Sequence, residues 1–255
     1  SGIGNAIATT FAKQGANLII HANTNQAGLE ATAAEIRDLG RDVTLLYADL
    51  TSAAAQESLL EQAFQANEQI NIWVNNAGRD VLTGDAASWS FEQKLAALWE
   101  LDVQGTIGIC RRLSKPMINV GKQVNAVILN MGWDQAAVGQ SGDSGQLFGS
   151  IKSAVIGFSH SLARELAPHV RVNCLAPGWI QTAWGNSAPT HWDKRAKAES
   201  LMGRWGTPQD VANVAAHLAA PMASFITGQT ISINGGLTHE HIEPTGNLDD
   251  QYDGE

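Results

Sequence analysis

Ile72-Trp73-Val74-Asn75-Asn76-Ala77-Gly78 sets three apolar residues directly before a polar turn closed by glycine. A short apolar run bounded this way reads as a strand buried on both faces, with a turn at its carboxyl end. The pattern recurs outward in both directions. Upstream lie Asn17-Leu18-Ile19-Ile20 and Val43-Thr44-Leu45-Leu46-Tyr47. Downstream lie Val124-Asn125-Ala126-Val127-Ile128-Leu129, Val170-Arg171-Val172-Asn173-Cys174 and Thr230-Ile231-Ser232-Ile233. Helical spacing fills the intervals: Ile3, Ile7 and Phe11; Leu29, Ala33 and Ile36; Leu59, Ala63 and Phe64. Gly15 and Gly40 stand where the first two helices should end. Strands alternating with helices predict an α/β fold, a parallel sheet wound on both faces by helices.

Composition bounds the rest. The chain has 255 residues, 44 % hydrophobic and 16 % charged, enough for one large core and too apolar for bulk disorder. No apolar run approaches a bilayer span, and the N-terminus is not signal-like. A net charge of −9 argues against a nucleic-acid or anionic-membrane surface. Cys110 and Cys174 lie in apolar segments without metal-ligand spacing, and read as buried thiols of a cytoplasmic protein. Residues 1–237 read as one domain. Residues 238–255 read as an acidic tail carrying Glu240, Glu243, Asp249, Asp250, Asp253 and Glu255. His239 and His241 fall in that tail, where a solvated end is the simpler reading than a metal site.

The chain opens with Ser1-Gly2-Ile3-Gly4, the second half of a glycine turn leading straight into a helix. Such a turn lets backbone approach a pyrophosphate at a helix N-terminus, and in a Rossmann-type sheet it follows a central strand. Without that strand two neighbours are left unpaired, so the expectation is an upstream strand and half-turn of roughly ten residues. Other turns follow at the carboxyl ends of strands, where ligands bind in such sheets. They are Asp49-Leu50, Asn75-Asn76-Ala77-Gly78 and Pro177-Gly178-Trp179-Ile180-Gln181-Thr182.

In these ordered motifs the chain resembles the short-chain dehydrogenase/reductases, and is similar to the 3-oxoacyl-carrier-protein reductases, from Ser1 to Asn234-Gly235-Gly236. The resemblance implies a dinucleotide site. Ser1, Gly2, Ile3 and Gly4 would hold the phosphates, Asp49 and Leu50 the adenine, and Asn76, Ala77 and Gly78 the adenosine side. Pro177, Gly178, Ile180 and Thr182 would take the nicotinamide end. The acidic position that selects NAD falls on Ala22. Asn23 and Thr24 can donate to a 2′-phosphate, so NADP(H) is favoured over NAD(H).

The catalytic set implied by the resemblance is altered. Its tyrosine, four residues before a lysine, falls on Phe148 in Phe148-Gly149-Ser150-Ile151-Lys152, and the only tyrosines are Tyr47 and Tyr252. Its serine falls in Asn130-Met131-Gly132-Trp133-Asp134, which has no hydroxyl; Ser141 and Ser144 come later, in a glycine-rich loop. Its asparagine falls on Asp102. Lys152 alone persists, and the resemblance implies that it binds the nicotinamide ribose. One reading is an active oxidoreductase acting on a small carbonyl, alcohol or enoyl substrate, with the proton handled by Asp102, Asp134, Asp143 or Lys152 itself. The other is a silent nucleotide-binding sensor or scaffold, and a third is a structural subunit pairing with an active relative. For each aspartate there is an ordinary alternative: Asp102 as a helix cap, Asp143 as a turn closure. Trp133, Trp179, Trp184 and Trp192 are placed on loops that would overhang the nicotinamide, and His191 in a segment that would be the lid. The helix with Phe148, Ala154, Val155, Phe158, Leu162 and Leu166 is apolar on more than one face. With a Trp99–Met117 helix it implies a homodimer or homotetramer.

Overall fold

The computed structural model describes residues 2–182, 185 and 190–237. Ser1, Trp184 and the acidic tail with its two histidines lie outside the described residues. Six strands run in parallel ladders: β1 (Leu18–Ala22), β2 (Val43–Tyr47), β3 (Ile72–Asn75), β4 (Ala126–Met131), β5 (Val170–Pro177) and β6 (Thr230–Ile233). The helices are α1 (Gly2–Lys13), α2 (Gln26–Asp38), α3 (Ala53–Ala66), α4 (Phe91–Leu98), α5 (Thr106–Gly121), α6 (Asp143–Leu166), α7 (Thr190–Glu199) and α8 (Pro208–Ala219). A π-helical stretch, Trp99–Gly105, joins α4 to α5.

Alternation along β4 shows that both sheet faces are covered. Ala126 and Ile128 pack into a core with Leu59, Leu113 and Leu162 of α3, α5 and α6. Val127 and Leu129 pack the other way, against Ile7 and Phe11 of α1 and Val211 and Ala215 of α8. A strand buried on both faces needs a continuous apolar run, which is why these strands were visible in sequence. Four helices, α2, α3, α4 and α8, start on side-chain caps: Asn25 accepts from the Gly28 N–H, Ser52 from Ala55, and Ser90 and Thr207 form capping boxes. Gly15 and Gly40 follow α1 and α2 with φ of +94° and +71°, the left-handed geometry that favours glycine.

The sheet is broken once. β1 pairs only with β2, and β3 only with β4 on its inner side of the order β3-β4-β5-β6. A cavity of about 570 Å³ lies between, lined by Leu18–Ala22 on one wall and Ile72–Asn75 on the other. No ladder joins β1 to β3 among the described residues.

Four strands differ in extent from the sequence reading, β3 by taking in Asn75. β1 runs from Leu18 to Ala22; it begins at Leu18 because the Asn17 side chain accepts from Arg41 Nη2 at 2.7 Å and from the Asp42 N–H, tying it to the loop before β2. β4 begins at Ala126: Val124 is exposed, and the Asn125 amide bridges Ala219 O and Arg171 Nε. β5 extends to Pro177 because its ladder with β6 continues to Ile233. The long helix is also two elements rather than one, the π stretch and α5. Val155, Leu162 and Leu166 of α6 are buried within the single chain, so those residues need no partner.

Candidate active site

The cavity at the sheet break opens onto the carboxyl ends of β1, β2 and β3. It gathers Gly4, Asn23, Asp49, Leu50, Asn76, Ala77 and Gly78, seven of the residues singled out for the dinucleotide. Thr24 is exposed beside it and does not line it. Asp49 turns its Oδ1 back to the Thr51 N–H (3.0 Å) and Oγ1 (2.8 Å); these bonds hold its carboxyl below the usual range. His21 Nε2 lies 2.9 Å from Ala48 O and steadies the Asp49 turn. No sequence pattern had marked it.

The start of α1 fits a phosphate in its backbone. A Cβ on Gly4 would meet Asn76 Nδ2 at 2.7 Å, and Gly2 has φ +54°. Side chains at these points would fill the space between the helix N-terminus and the Asn76 turn, and the first N–H groups of α1 have no carbonyl partner within the helix. Gly2 and Ile3 lie in the first turn of α1. A Gly2 Cβ would also touch Thr182 Cγ2 at 3.7 Å, so the Pro177–Thr182 segment reaches the same helix end. Within it, Ile180 is buried against α1 and α8.

Gly178 is the tightest point. A Cβ there would lie 2.6 Å from Asn234 Cβ and 2.8 Å from Asp134 Oδ2. Asp134 follows β4, 9 % exposed, and accepts from Asn234 Nδ2 at 3.1 Å. Its Oδ1 is buried without a hydrogen-bond partner among the described residues. Burial pushes this carboxyl up to about 6, against the pull of the Asn234 bond. Asp134 therefore sits behind the Pro177-Gly178 turn, pinned to the residue after β6.

Lys152 Nζ lies 2.8 Å from Asp102 Oδ2, with side chains 13 % and 2 % exposed. Asp102 Oδ1 accepts the Arg79 N–H at 2.9 Å, and its carboxylate closes on Gly78, where a Cβ would stand 3.0 Å from Oδ2. Asp102 is no helix cap: it lies inside the π stretch, from which it reaches both the Gly78 turn and α6. One turn before Lys152, the Phe148 ring meets Trp133 edge-on, centroids 6.3 Å apart. Asp143 is exposed in the first turn of α6, where a carboxylate complements the free N–H groups, and is not drawn toward Lys152.

At the Pro177–Thr182 segment, Trp179 gathers with Trp192 and with Trp205, which the sequence reading passed over. Trp179 lies 5.5 Å from Trp192 and 5.8 Å from Trp205 between centroids. Arg195 stacks on Trp179 and Trp192 at 5.8 and 5.3 Å and pairs with Glu199, which also accepts from Trp179 Nε1 at 2.7 Å. The Arg195–Glu199 spacing of four was the available signal. His191 is exposed beside Trp192.

A two-face-covered parallel sheet with a glycine-opened helix and converging turns at its carboxyl edge defines a nucleotide-binding oxidoreductase architecture. A family model described as enoyl-(acyl carrier protein) reductase matches residues 1–238. The chain belongs to the short-chain dehydrogenase/reductase family. It is 31 % identical over 239 residues to the 3-oxoacyl-[acyl-carrier-protein] reductase of Chlamydia trachomatis, covering 92 % of this chain and 93 % of the relative. It is 35 % identical over 242 residues to nodulation protein G of a Rhizobium species, covering 92 % of each. Among solved structures it is similar to the 3-ketoacyl-(acyl-carrier-protein) reductase of Brucella melitensis complexed with NADH. That match has a TM-score of 0.81 and 30 % identity, and covers 92 % and 93 % of the two chains. It is also similar to a 7α-hydroxysteroid dehydrogenase complexed with NADH, with a TM-score of 0.83, 28 % identity and coverage of 94 % and 91 %. No helix among the described residues is long and apolar enough to cross a membrane.

Proposed function

We propose that this chain transfers hydride between NADP(H) and a small carbonyl, alcohol or enoyl substrate, with the proton handled by a group other than residue 148. The observation that carries this reading is the retention of Lys152 in a buried ion pair beside the Gly78 turn, while an aromatic contact fills the place beside it. Gly2, Ile3, Gly4 and Asn76 would hold the phosphates and adenosine, and Gly178, Ile180 and Thr182 the nicotinamide end. When bound, the dinucleotide supplies or accepts the hydride. NADP(H) is preferred over NAD(H) because β1 ends at Ala22 with Asn23 exposed on the cavity rim, so no carboxylate there repels a 2′-phosphate. Trp133 and Phe148 make the substrate side apolar, and the Trp179–Trp192–Trp205 group would cover a flat or apolar substrate.

The protein works in the cytoplasm as a homodimer or homotetramer; half-exposed Trp99 at the head of the π stretch marks a face for a second copy. The Trp133–Phe148 contact also favours a second reading, a silent NADP(H)-binding sensor or scaffold subunit, since neither ring has a proton to give.

One experiment separates the two. NADPH oxidation is followed over ketones, quinones and enoyl thioesters for the wild-type chain and Phe148→Tyr. Turnover by the wild type, with little gain from tyrosine, is the expected result. Silence with intact NADPH binding selects the sensor, and a large gain on Phe148→Tyr marks a reductase that lost its donor.

A further inference from the structure

We infer that Lys152 is itself the proton donor, its ammonium aimed by Asp102. This rests on the hydride-transfer reading above and names the group that completes it.

The geometry eliminates the other candidates. Asp102 accepts at both oxygens, from Lys152 Nζ and the Arg79 N–H, and has no proton to offer. Asp143 is exposed at the start of α6. Asp134 directs Oδ2 at Asn234 and Gly178, behind the turn, with Oδ1 sealed from solvent. The serines around Lys152 are committed: Ser150 donates to Gln146 O and Ser153 to Ala136 O, both on the exposed side of α6. Lys152 has three N–H groups, and Asp102 is its one hydrogen-bond partner among the described residues, so two donors are left for a substrate oxygen. A free ammonium and a free phenol have nearly equal acidity, about 10.4 against about 10, so replacing one by the other costs little driving force.

The step balances. The carbonyl carbon gains a C–H bond with the electron pair of the hydride from NADPH, which becomes NADP⁺. The C=O π pair moves to oxygen. One Lys152 Nζ–H bond breaks as O–H forms, giving the alcohol and a neutral amine, which takes a proton from water.

Other titratable groups surround Lys152. Cys174 on β5 and Cys110 on α5 are both pushed up to about 12 by burial, and Cys174 feels the Lys152 charge. Asp134 follows β4 and Arg79 follows β3. On α4, Lys94 is tied to Ala87 O and Glu92 to Ser90. Burial pushes the Asp134 carboxyl up to about 6.

The test uses the full chain, wild type and three variants, with NADPH binding read by tryptophan fluorescence and reduction read against pH. Lys152→Arg keeps the charge and cannot give up its proton. It should bind NADPH within about threefold of wild type while kcat falls at least a hundredfold. Asp102→Asn should lower kcat at least tenfold while KM and NADPH binding change less than threefold, because the ammonium is no longer aimed. A purely structural Asp102 would lower NADPH binding and kcat alike. Lys152→Arg retaining turnover overturns the inference. So does a limb falling near pH 6 that disappears in Asp134→Asn, which would make Asp134 the donor. NADPH binding without any turnover overturns it and leaves cofactor binding standing. Absence of NADPH binding overturns the hydride-transfer reading with it.

Discussion

The carboxyl ends of β3 and β4 flank one cleft and have been treated in opposite ways. After β3, the Asn75–Gly78 turn keeps small residues and close backbone approaches. After β4, the chain turns to Trp133 and a sealed aspartate. Conserving space on one side while filling it with rings on the other shows two separable requirements, holding a nucleotide and managing a proton. Asp102 links the β3 turn to α6, through the Arg79 N–H and Lys152 Nζ.

The sharpest way to break this comparison is to remove that link. Asp102→Ala leaves a buried ammonium unpaired and should cost roughly 3–5 kcal/mol of unfolding free energy in urea. A loss below about 1 kcal/mol would mean water reaches the pair and the two sides are not coupled through it.

Next in size is the sealed aspartate. Its carboxyl is pushed up to about 6 in the fold, so between about pH 4 and 6 the folded chain holds more protons than the unfolded one. Stability therefore falls as pH rises through that window and stays lower above it. Asp134→Asn removes this loss. The variant should be more stable than wild type by roughly 2 kcal/mol at pH 7 and nearly equal at pH 4. Equal stability at both pH values would show the site admits water.

A smaller effect checks the framework away from the cleft. Thr207→Ala removes the side chain that accepts the Asp210 N–H at the start of α8 and should cost about 1 kcal/mol. NADPH affinity should be unchanged, and a change would mean that α8 helps to set the site. Smallest is the expected effect of Trp133→Phe on NADPH affinity, within about twofold by fluorescence titration, since an edge-on contact with Phe148 can persist. A tenfold loss would erase the division between the two sides.

The alternation of β and α and the turns at strand ends were legible because buried strands and glycine-capped helices leave local marks. Val43–Tyr47 and Thr230–Ile233 appear with their boundaries intact. Asn17 and Asn125 did not show as strand ends, because each is withdrawn from its strand by partners distant in sequence. Lys152 and Asp102 were both marked, yet their pairing spans 50 residues and has no periodic signature. Asp134 was marked as a carboxylate near the site. That it faces Asn234, 100 residues away, was not readable.

The π stretch has a consequence for how this chain tolerates change. Hydrogen bonding from i to i+5 accommodates one surplus residue in an otherwise continuous helical rod. Removing one residue would let the stretch return to i to i+4 bonding with α4 and α5 kept in phase. What the surplus changes is confined to the stretch itself, where Asp102 reaches Lys152. The stretch is thus a local swelling that aims one carboxylate while Ile109, Leu113 and Met117 keep their places in the core.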